Sequence, residues 1–366
     1  MNKPSEFRIL VGAGGTGGHL FPATAVCEQL ANIIESEFAA SFVGTPDKIE
    51  ARVVPALGYD FRTIPISGFS GISLNSLMLP FKIAKSVLIC RSIIRNENIK
   101  AVLCTGAYLS LPAGLAASLE KIPLILMESN VSPGKAIKML ASKADLIISS
   151  FEDSVDYFKP TVRSKIEFLG NPVRANLREL PEKSKALESY GFSQGKKTVF
   201  VFGGSLGALS VNKAVEADLK KFAEAEIQVI WQTGKNYKPV ADIPKNVKVF
   251  EFIDDMPMAY AAADLVVSRS GASTIAELAL TGKPSILIPL PSATNNEQAE
   301  NAKIFMNIGA AVLIKNSAVP EALVDSIIDL VPKDEILQLM SECALLLAKP
   351  DAASNAAKRI IELVKK

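Results

Sequence analysis

Short runs of consecutive apolar residues alternate along this chain with longer stretches in which apolar positions recur every three or four residues. The first kind reads as strands buried on both faces and the second as helices that cover them, so the alternation predicts parallel sheets built from βαβ units. In the first half the expected strands are 8–11, 41–43, 63–66, 101–104, 124–127, 146–149 and 167–169. From Asn171 to Lys196 the rhythm stops; the stretch is polar, holds two prolines and two glycines, and reads as a connection with room for one helix. The alternation resumes at 198–202 and continues through 228–231, 247–251, 265–268, 285–288 and 311–314. In the last segment Ala353, Ala357, Ile360, Ile361 and Val364 fall on one helical face, and lysines close its C-terminal end, where the helix dipole favours cations. The expected division is therefore 1–170 for a first domain, 171–196 for a connector, 197–350 for a second domain and 351–366 for a helix that packs back on the first.

The length, 366 residues, agrees with two domains of about 150 residues each. Lys and Arg number 40 against 38 Asp and Glu, a net charge of +2, which argues against a partner such as duplex nucleic acid that is held by whole-surface electrostatics. Any membrane or anion binding must be local. No apolar stretch reaches the roughly 18 to 20 residues of a spanning helix: Lys82 and Lys85 interrupt one, Pro112, Glu120, Lys121 and Pro123 another. The short polar start, running straight into a strand, carries no secretory leader, so a cytoplasmic protein is expected. The four cysteines (Cys27, Cys90, Cys104, Cys343) are widely spaced and there is a single histidine, so neither a disulfide framework nor a zinc site is supported.

The first strand runs into Gly12-Ala13-Gly14-Gly15-Thr16-Gly17-Gly18-His19, five glycines in seven residues before the histidine. Glycines let backbone N–H groups come close to a ligand, and the helix that follows favours negative charge at its N-terminus, which suits a diphosphate or sugar nucleotide. Gly12, Gly14 and Gly17 also satisfy GxGxxG, but the acidic residue that a dinucleotide site wants at the end of the second strand is missing, since that strand ends Phe42-Val43-Gly44-Thr45. His19 closes the loop at a helix start, where the charged form is disfavoured; the place suits a neutral, proton-accepting imidazole and also a plain capping or solvated histidine.

The second half repeats the device. Gly203-Gly204-Ser205-Leu206-Gly207-Ala208 follows its first strand and does not match the nucleoside-triphosphatase loop. Ser268-Arg269-Ser270-Gly271-Ala272-Ser273-Thr274-Ile275-Ala276-Glu277 places a glycine turn, two hydroxyls at a helix start and a glutamate one turn in; it serves a phosphate and a ribose diol, or equally a plain helix cap. Asn295, Asn296, Gln298 and Asn301 offer carboxamides that suit sugar hydroxyls, or cap a helix. The segment 72–95, from Ile72 to Arg95, mixes Leu77, Met78, Leu79, Phe81, Ile83, Val87 and Leu88 with Lys82, Lys85, Arg91 and Arg95 and contains no acid. It fits an amphipathic helix on an anionic bilayer and also a crossover helix with a basic outer face.

Taken in order, GAGGTGGHLFPA, Gly106-Ala107-Tyr108, Glu128-Ser129-Asn130, Gly170-Asn171-Pro172-Val173-Arg174, GGSLGA, Phe252-Ile253-Asp254-Asp255-Met256, SRSGASTIAE and EQAENA resemble the MurG family, the N-acetylglucosaminyltransferases of bacterial peptidoglycan synthesis. The resemblance covers nearly the whole chain. It implies a GT-B fold, two Rossmann-like doubly wound α/β domains with an interdomain cleft. It also implies inverting transfer of N-acetylglucosamine from UDP-N-acetylglucosamine to the muramyl C4 hydroxyl of an undecaprenyl-diphosphoryl muramyl-pentapeptide, at the cytoplasmic face of the inner membrane, without cofactor or metal. Division and elongation proteins are further partners under that resemblance.

By similarity the backbone at Ile253 meets the uracil, Glu277 the ribose, and Ser205 with Ala272, Ser273 and Thr274 the diphosphate; Ile275 and Ala276 extend the substrate-binding run. Arg174, Asn130 and the Thr16-Gly17-Gly18 loop close on the donor, and Gln298 on its sugar. An inverting displacement needs a base and positive potential for the departing UDP; His19 is the candidate base and Glu128 the second choice. Met127, Leu206, Ala107 and Glu297 depart from the residues usual in the family at those places. The alternatives are a related GT-B transferase with another lipid acceptor such as diacylglycerol, a non-catalytic sugar-nucleotide binder, and a nicotinamide oxidoreductase.

Overall fold

The computed structural model describes residues 7–34, 37–66, 78–204, 206–240, 242–293 and 296–365. Ser205, Asn295 and residues 72–77 of the basic segment lie outside them. The chain forms two compact units, Met1–Val173 with Lys349–Lys366, and Arg174–Ala348.

In the first unit the strands are β1 (Phe7–Gly12), β2 (Phe38–Gly44), β3 (Asp60–Thr63), β4 (Ala101–Cys104), β5 (Leu124–Glu128), β6 (Leu146–Ser149) and β7 (Ile166–Phe168). They make one parallel sheet in the order β3-β2-β1-β4-β5-β6-β7. The helices are α1 (Gly17–Ile33), α2 (Ile49–Ala56), α3 (Leu79–Asn96), α4 (Ser110–Glu120) and α5 (Lys135–Leu140). Side chains alternate across the sheet. Leu10, Val102, Cys104, Leu126 and Ile147 enter the core under α3, α4 and α5, while Ile9, Val11, Phe42, Leu103, Ile125 and Met127 enter the core under α1. Burial on both faces is why these strands read as unbroken apolar runs. Met127 is wholly buried there, so its place in the sequence motif is one of packing.

The second unit holds β8 (Thr198–Phe202), β9 (Gln228–Gln232), β10 (Val247–Phe250), β11 (Leu265–Ser268), β12 (Ser285–Leu287) and β13 (Ala311–Leu313), again parallel, in the order β10-β9-β8-β11-β12-β13. Its helices are α6 (Lys183–Ser189), α7 (Leu209–Ala217), α8 (Leu219–Glu224), α9 (Met256–Ala262), α10 (Ala272–Thr281), α11 (Glu297–Asn307), α12 (Val319–Leu330) and α13 (Asp334–Leu346).

Most strands form within a residue or two of their expected limits. The third does not: the ladder runs from Ser41 opposite Asp60 to Gly44 opposite Thr63, ahead of the apolar Ile64 and Ile66. Those two are buried after the strand ends, Ile64 N–H donating to the Gly44 carbonyl at 2.9 Å, so their signal was one of burial rather than of pairing. The polar stretch 171–196 is not a free linker. From Arg174 onward it belongs to the second unit, and α6 inserts Ala186 and Leu187 into that unit while packing on α9. The final helix, α14 (Ala352–Val364), belongs to the first unit, where Ala356, Ala357 and Ile360 pack with the buried face of α1. Arg359 grips the Glu167 carboxylate from Nε at 2.7 Å and Nη2 at 2.5 Å, fixing α14 to β7 as well.

In each sheet the strand order reverses at one crevice, between β1 and β4 in the first unit and between β8 and β11 in the second. Ligand sites of open α/β sheets form at the carboxyl ends of the strands at such a point. Both glycine-rich loops leave strands there.

Candidate active site

In the first unit β1 ends at Gly12 and the loop reaches α1 at Gly17, with Thr16 as the exposed N-cap. The Thr16 side chain makes no capping bond and no acidic residue lies in the first turn. The His19 and Leu20 N–H groups turn back to the Thr16 carbonyl, leaving those of Gly17 and Gly18 at the open helix end, where partial positive charge accumulates. Pro22, one turn on, has no N–H to donate to the Gly18 carbonyl, so an acceptor is also left at this end.

His19 is the third residue of α1. Its Nδ1 stands 2.8 Å from the Thr105 carbonyl oxygen, and Thr105 Oγ1 donates to the His19 carbonyl at 2.7 Å. A carbonyl only accepts, so Nδ1 carries the hydrogen and Nε2 keeps its lone pair. Burial pushes the imidazole below its ordinary value of 6.5, against the opposing effect of the Thr105 bond, and the ring is neutral at neutral pH. Gly106 has φ +105°, and a Cβ there would meet the ring at 2.9 Å, so a side chain at this place would displace the imidazole.

Beneath the loop lies a residue to which no motif pointed, Glu50 of α2, wholly buried. Oε2 accepts the Gly15 N–H at 2.9 Å, and Oε1 accepts the N–H and the hydroxyl of Thr45, each at 3.1 Å. A Cβ on Gly14 would stand 2.6 Å from its carboxyl carbon.

Glu128, at the end of β5, has both carboxylate oxygens engaged: Oε1 by the Asn130 N–H and Oε2 by the Gly134 N–H, each at 2.9 Å. The Asn130 amide adds a bond at 3.3 Å, so Glu128 holds the turn that presents Asn130 and leads into α5. Its oxygens are engaged, whereas Nε2 of His19 has no hydrogen-bond partner among the described residues.

In the second unit α10 starts after Gly271, with no side-chain cap and no acid in its first turn. Ile275 N–H bonds the Gly271 carbonyl at 3.0 Å and its side chain is in the core. Ile275, and Ala276 after it, have their N–H groups engaged in the helical ladder, while Ala272, Ser273 and Thr274 retain theirs for a ligand. The Ser273 hydroxyl oxygen is buried without a hydrogen-bond partner among the described residues, an unmet polar group beside these donors. One turn on, Glu277 is buried and accepts from the Tyr260 hydroxyl at 2.9 Å. Burial raises its carboxyl above the ordinary 4.5, while the Arg174 charge and the Tyr260 bond act against the rise. Arg174 thus belongs electrostatically to this pair.

Ile253 N–H is taken by Gln232 Oε1 at 2.9 Å, which leaves the Ile253 carbonyl as the backbone group available to a base. Gln232 also donates to the Gly204 carbonyl at 3.2 Å, and so ties the glycine loop to the 251–255 turn. Gln298 Oε1 accepts the Leu290 N–H at 3.0 Å, leaving its NH2 as donor. Arg269 bonds the Ile288 and Pro289 carbonyls, Asn316 Oδ1 and Ser210 Oγ at 2.8 to 3.3 Å, fastening the end of β12, the 316–318 turn and the start of α7 to one another. Glu50, Gln232, Tyr260 and this role of Arg269 had no legible signal in the sequence, because each acts through a contact distant in sequence.

Two family models match the chain: the glycosyltransferase family 28 N-terminal domain over residues 9–149 and the family 28 C-terminal domain over residues 198–361. The UDP-N-acetylglucosamine–N-acetylmuramyl-(pentapeptide) pyrophosphoryl-undecaprenol N-acetylglucosamine transferase of Parabacteroides distasonis is 37% identical over 374 residues, covering 99% of each chain. The protein of the same name from Thermodesulfovibrio yellowstonii is 38% identical, covering 97% of each. Among solved structures, that of Acinetobacter baumannii MurG superimposes with a TM-score of 0.78 at 27% identity, over 98% of this chain and 100% of that one. With its two parallel α/β units of GT-B type, the chain belongs to glycosyltransferase family 28 and, within it, to the MurG family of N-acetylglucosaminyltransferases.

Proposed function

We propose that this enzyme transfers N-acetylglucosamine from UDP-N-acetylglucosamine to the C4 hydroxyl of the muramyl sugar of undecaprenyl-diphosphoryl-N-acetylmuramoyl-pentapeptide, with inversion at the anomeric carbon. The observation that carries the reading is His19, a neutral imidazole, beside a glycine loop, whose Nδ1–H is pinned to Thr105 and whose Nε2 has no hydrogen-bond partner among the described residues. Nε2 takes the proton of the acceptor hydroxyl as its oxygen bonds to the anomeric carbon. The bond from that carbon to the diphosphate breaks, and its electron pair leaves with UDP.

The second unit is the donor side of this reading. The first-turn N–H groups of α10 with the Ser273 hydroxyl take the diphosphate, and Arg174 balances the charge that develops on UDP. Glu277 accepts from the ribose diol, the Ile253 carbonyl from the uracil, and the Gln298 amide donates to a sugar hydroxyl. In the first unit, Asn130 and the Thr16–Gly18 segment are further substrate-binding candidates.

The lipid part of the acceptor is assigned to α3. Met78, Phe81 and Leu88 are 53, 70 and 61% exposed there, next to Lys82 and Lys85. Arg91 and Arg95, further along the helix, both donate to Glu120 of α4, at 2.6 and 2.7 Å, so their charge is partly balanced within the fold. No helix of the described residues is long and apolar enough to cross a membrane. The reading places the enzyme peripherally on the cytoplasmic face of the inner membrane, where its product serves peptidoglycan synthesis and thereby cell shape and division.

The test pairs UDP-N-acetylglucosamine with a short-chain acceptor analogue, with UDP-galactose and diacylglycerol as counter-substrates. Transfer to the muramyl analogue that is lost in His19→Ala supports the reading; transfer only to diacylglycerol refutes it.

A further inference from the structure

We propose that Glu50 is a positioning residue for this reaction, acting through the glycine loop on His19. The proposal rests on the transferase reading above and adds to it a residue outside every motif used to reach that reading.

Three segments converge on one buried carboxylate. The β1–α1 loop gives it the Gly15 N–H at 2.9 Å, and the β2–α2 turn gives it the Thr45 N–H and hydroxyl at 3.1 Å. The Gly106–Tyr108 turn joins through Tyr108, whose hydroxyl lies 3.3 Å from Thr45 Oγ1. Glu50 forms no ion pair among the described residues, and burying a carboxylate away from cations is costly, so its neighbours must supply donors. They do, and it fills the space that side chains on Gly14 and Gly44 would occupy, at 2.6 and 2.5 Å.

Two effects on the site follow. Because the Gly15 N–H is turned inward, the loop does not cradle an anion along its whole length, and the donors left for a ligand are those where α1 begins. The loop conformation also sets where α1 begins, and His19 is the third residue of that helix. The Tyr108 turn that touches the same network carries Thr105 and Gly106, the two residues that clamp the imidazole. Glu50 therefore ties both walls of the histidine pocket to one point.

Only an acceptor-only group fits. In Glu50→Gln the amide NH2 must face either the Gly15 N–H or the Thr45 donors, so one side of the key is broken in an isosteric side chain. Misplacing a reacting group by about an ångström costs of order 100-fold, so Glu50→Gln should lower kcat by at least about tenfold while the Kd for UDP, held by the second unit, stays within about twofold. A second readout needs no activity. His19 is the only histidine in the chain, so its imidazole titration by NMR is unambiguous. Loosening the pocket should move that titration up from its depressed position toward 6.5.

Thr45→Val, which removes only the hydroxyl bond, should show both changes in smaller measure and carries the test if Glu50→Gln does not fold. A folded variant with unchanged kcat and unchanged His19 titration overturns the proposal, as does a loss of kcat matched by an equal loss of UDP affinity. A wild-type chain that fails to use the muramyl acceptor would instead sink the transferase reading, with the His19 titration still deciding the role of Glu50.

Discussion

Tyr260→Phe isolates a single buried contact of the donor site. The ring lies edge-on to Phe200 and Phe202, at centroid distances of 5.8 and 6.4 Å, and phenylalanine keeps that packing. What is lost is the hydroxyl that donates to Glu277 Oε2 at 2.9 Å. A hydrogen bond to an ionised group contributes about 1.5–3 kcal/mol, and about 1.4 kcal/mol corresponds to one pH unit, so the carboxyl should titrate roughly one to two units higher in the variant. Burial already raises it above 4.5, with Arg174 and Tyr260 opposing, so the variant brings its protonation toward neutral pH.

If the carboxylate accepts from the ribose diol, Tyr260→Phe weakens UDP binding by up to about tenfold at neutral pH and less in alkaline buffer, where the group ionises again. Stability follows the same sign. A carboxyl whose folded value is raised weakens the fold as pH rises through that value, and removing the hydroxyl enlarges the penalty. The variant should therefore be about 1.5–3 kcal/mol less stable at neutral pH, and the deficit should shrink in acid, where both proteins carry the neutral group. Calorimetric UDP titrations over a pH series, with urea denaturation beside them, measure both quantities. Wild-type affinity throughout the series, or a loss of equal size at every pH, would refute the assignment of Glu277 to the ribose.

Four further outcomes are expected. The kcat/KM profile should show an acid limb with a midpoint below 6.5, absent in His19→Ala, which should lose about 10²–10⁴-fold in kcat with UDP binding intact. Gly106→Ala forces a Cβ to 2.9 Å from the imidazole at a φ of +105°; steady-state kinetics should show kcat falling more than the KM for donor rises. Ser273→Ala removes a buried hydroxyl that has no partner among the described residues, so the thermal midpoint should hold or rise while UDP affinity falls by about 3- to 10-fold on calorimetry. Reversing Lys82 and Lys85 to Glu should reduce co-sedimentation with anionic vesicles, whereas reversing Arg91 and Arg95 should lower stability by setting a carboxylate pair against Glu120.

The strands were legible because a sheet covered on both faces turns burial into uninterrupted apolar runs, and their order put the glycine loops where ligands bind. The edge strand β3 was misplaced because its register is set by backbone pairing with β2, which side-chain hydropathy does not report. His19, Glu277 and the start of α10 could be read from motifs, since loop and helix lie in one stretch of chain. Glu50 reaches Gly15 across 35 positions, Tyr260 reaches Glu277 across 17, and Gln232 reaches Ile253 across 21. Such supports become visible only when the fold closes, and the same holds for Glu128, whose motif is plain while its engaged oxygens are not.

The return of the chain to its first unit at Lys349 has a consequence for biosynthesis. Residues 174–348, 175 of them, are inserted within the first unit, which takes up α14 only after them. At roughly 5–20 residues per second a ribosome needs about 10–35 s to make that insertion. For that interval the face of α1 that α14 will cover, on the helix that carries His19, stays open to water, chaperones and other nascent chains. A stop codon at Asp351 would leave intact every residue assigned to substrate, yet the histidine-bearing helix would have no α14 to seal it.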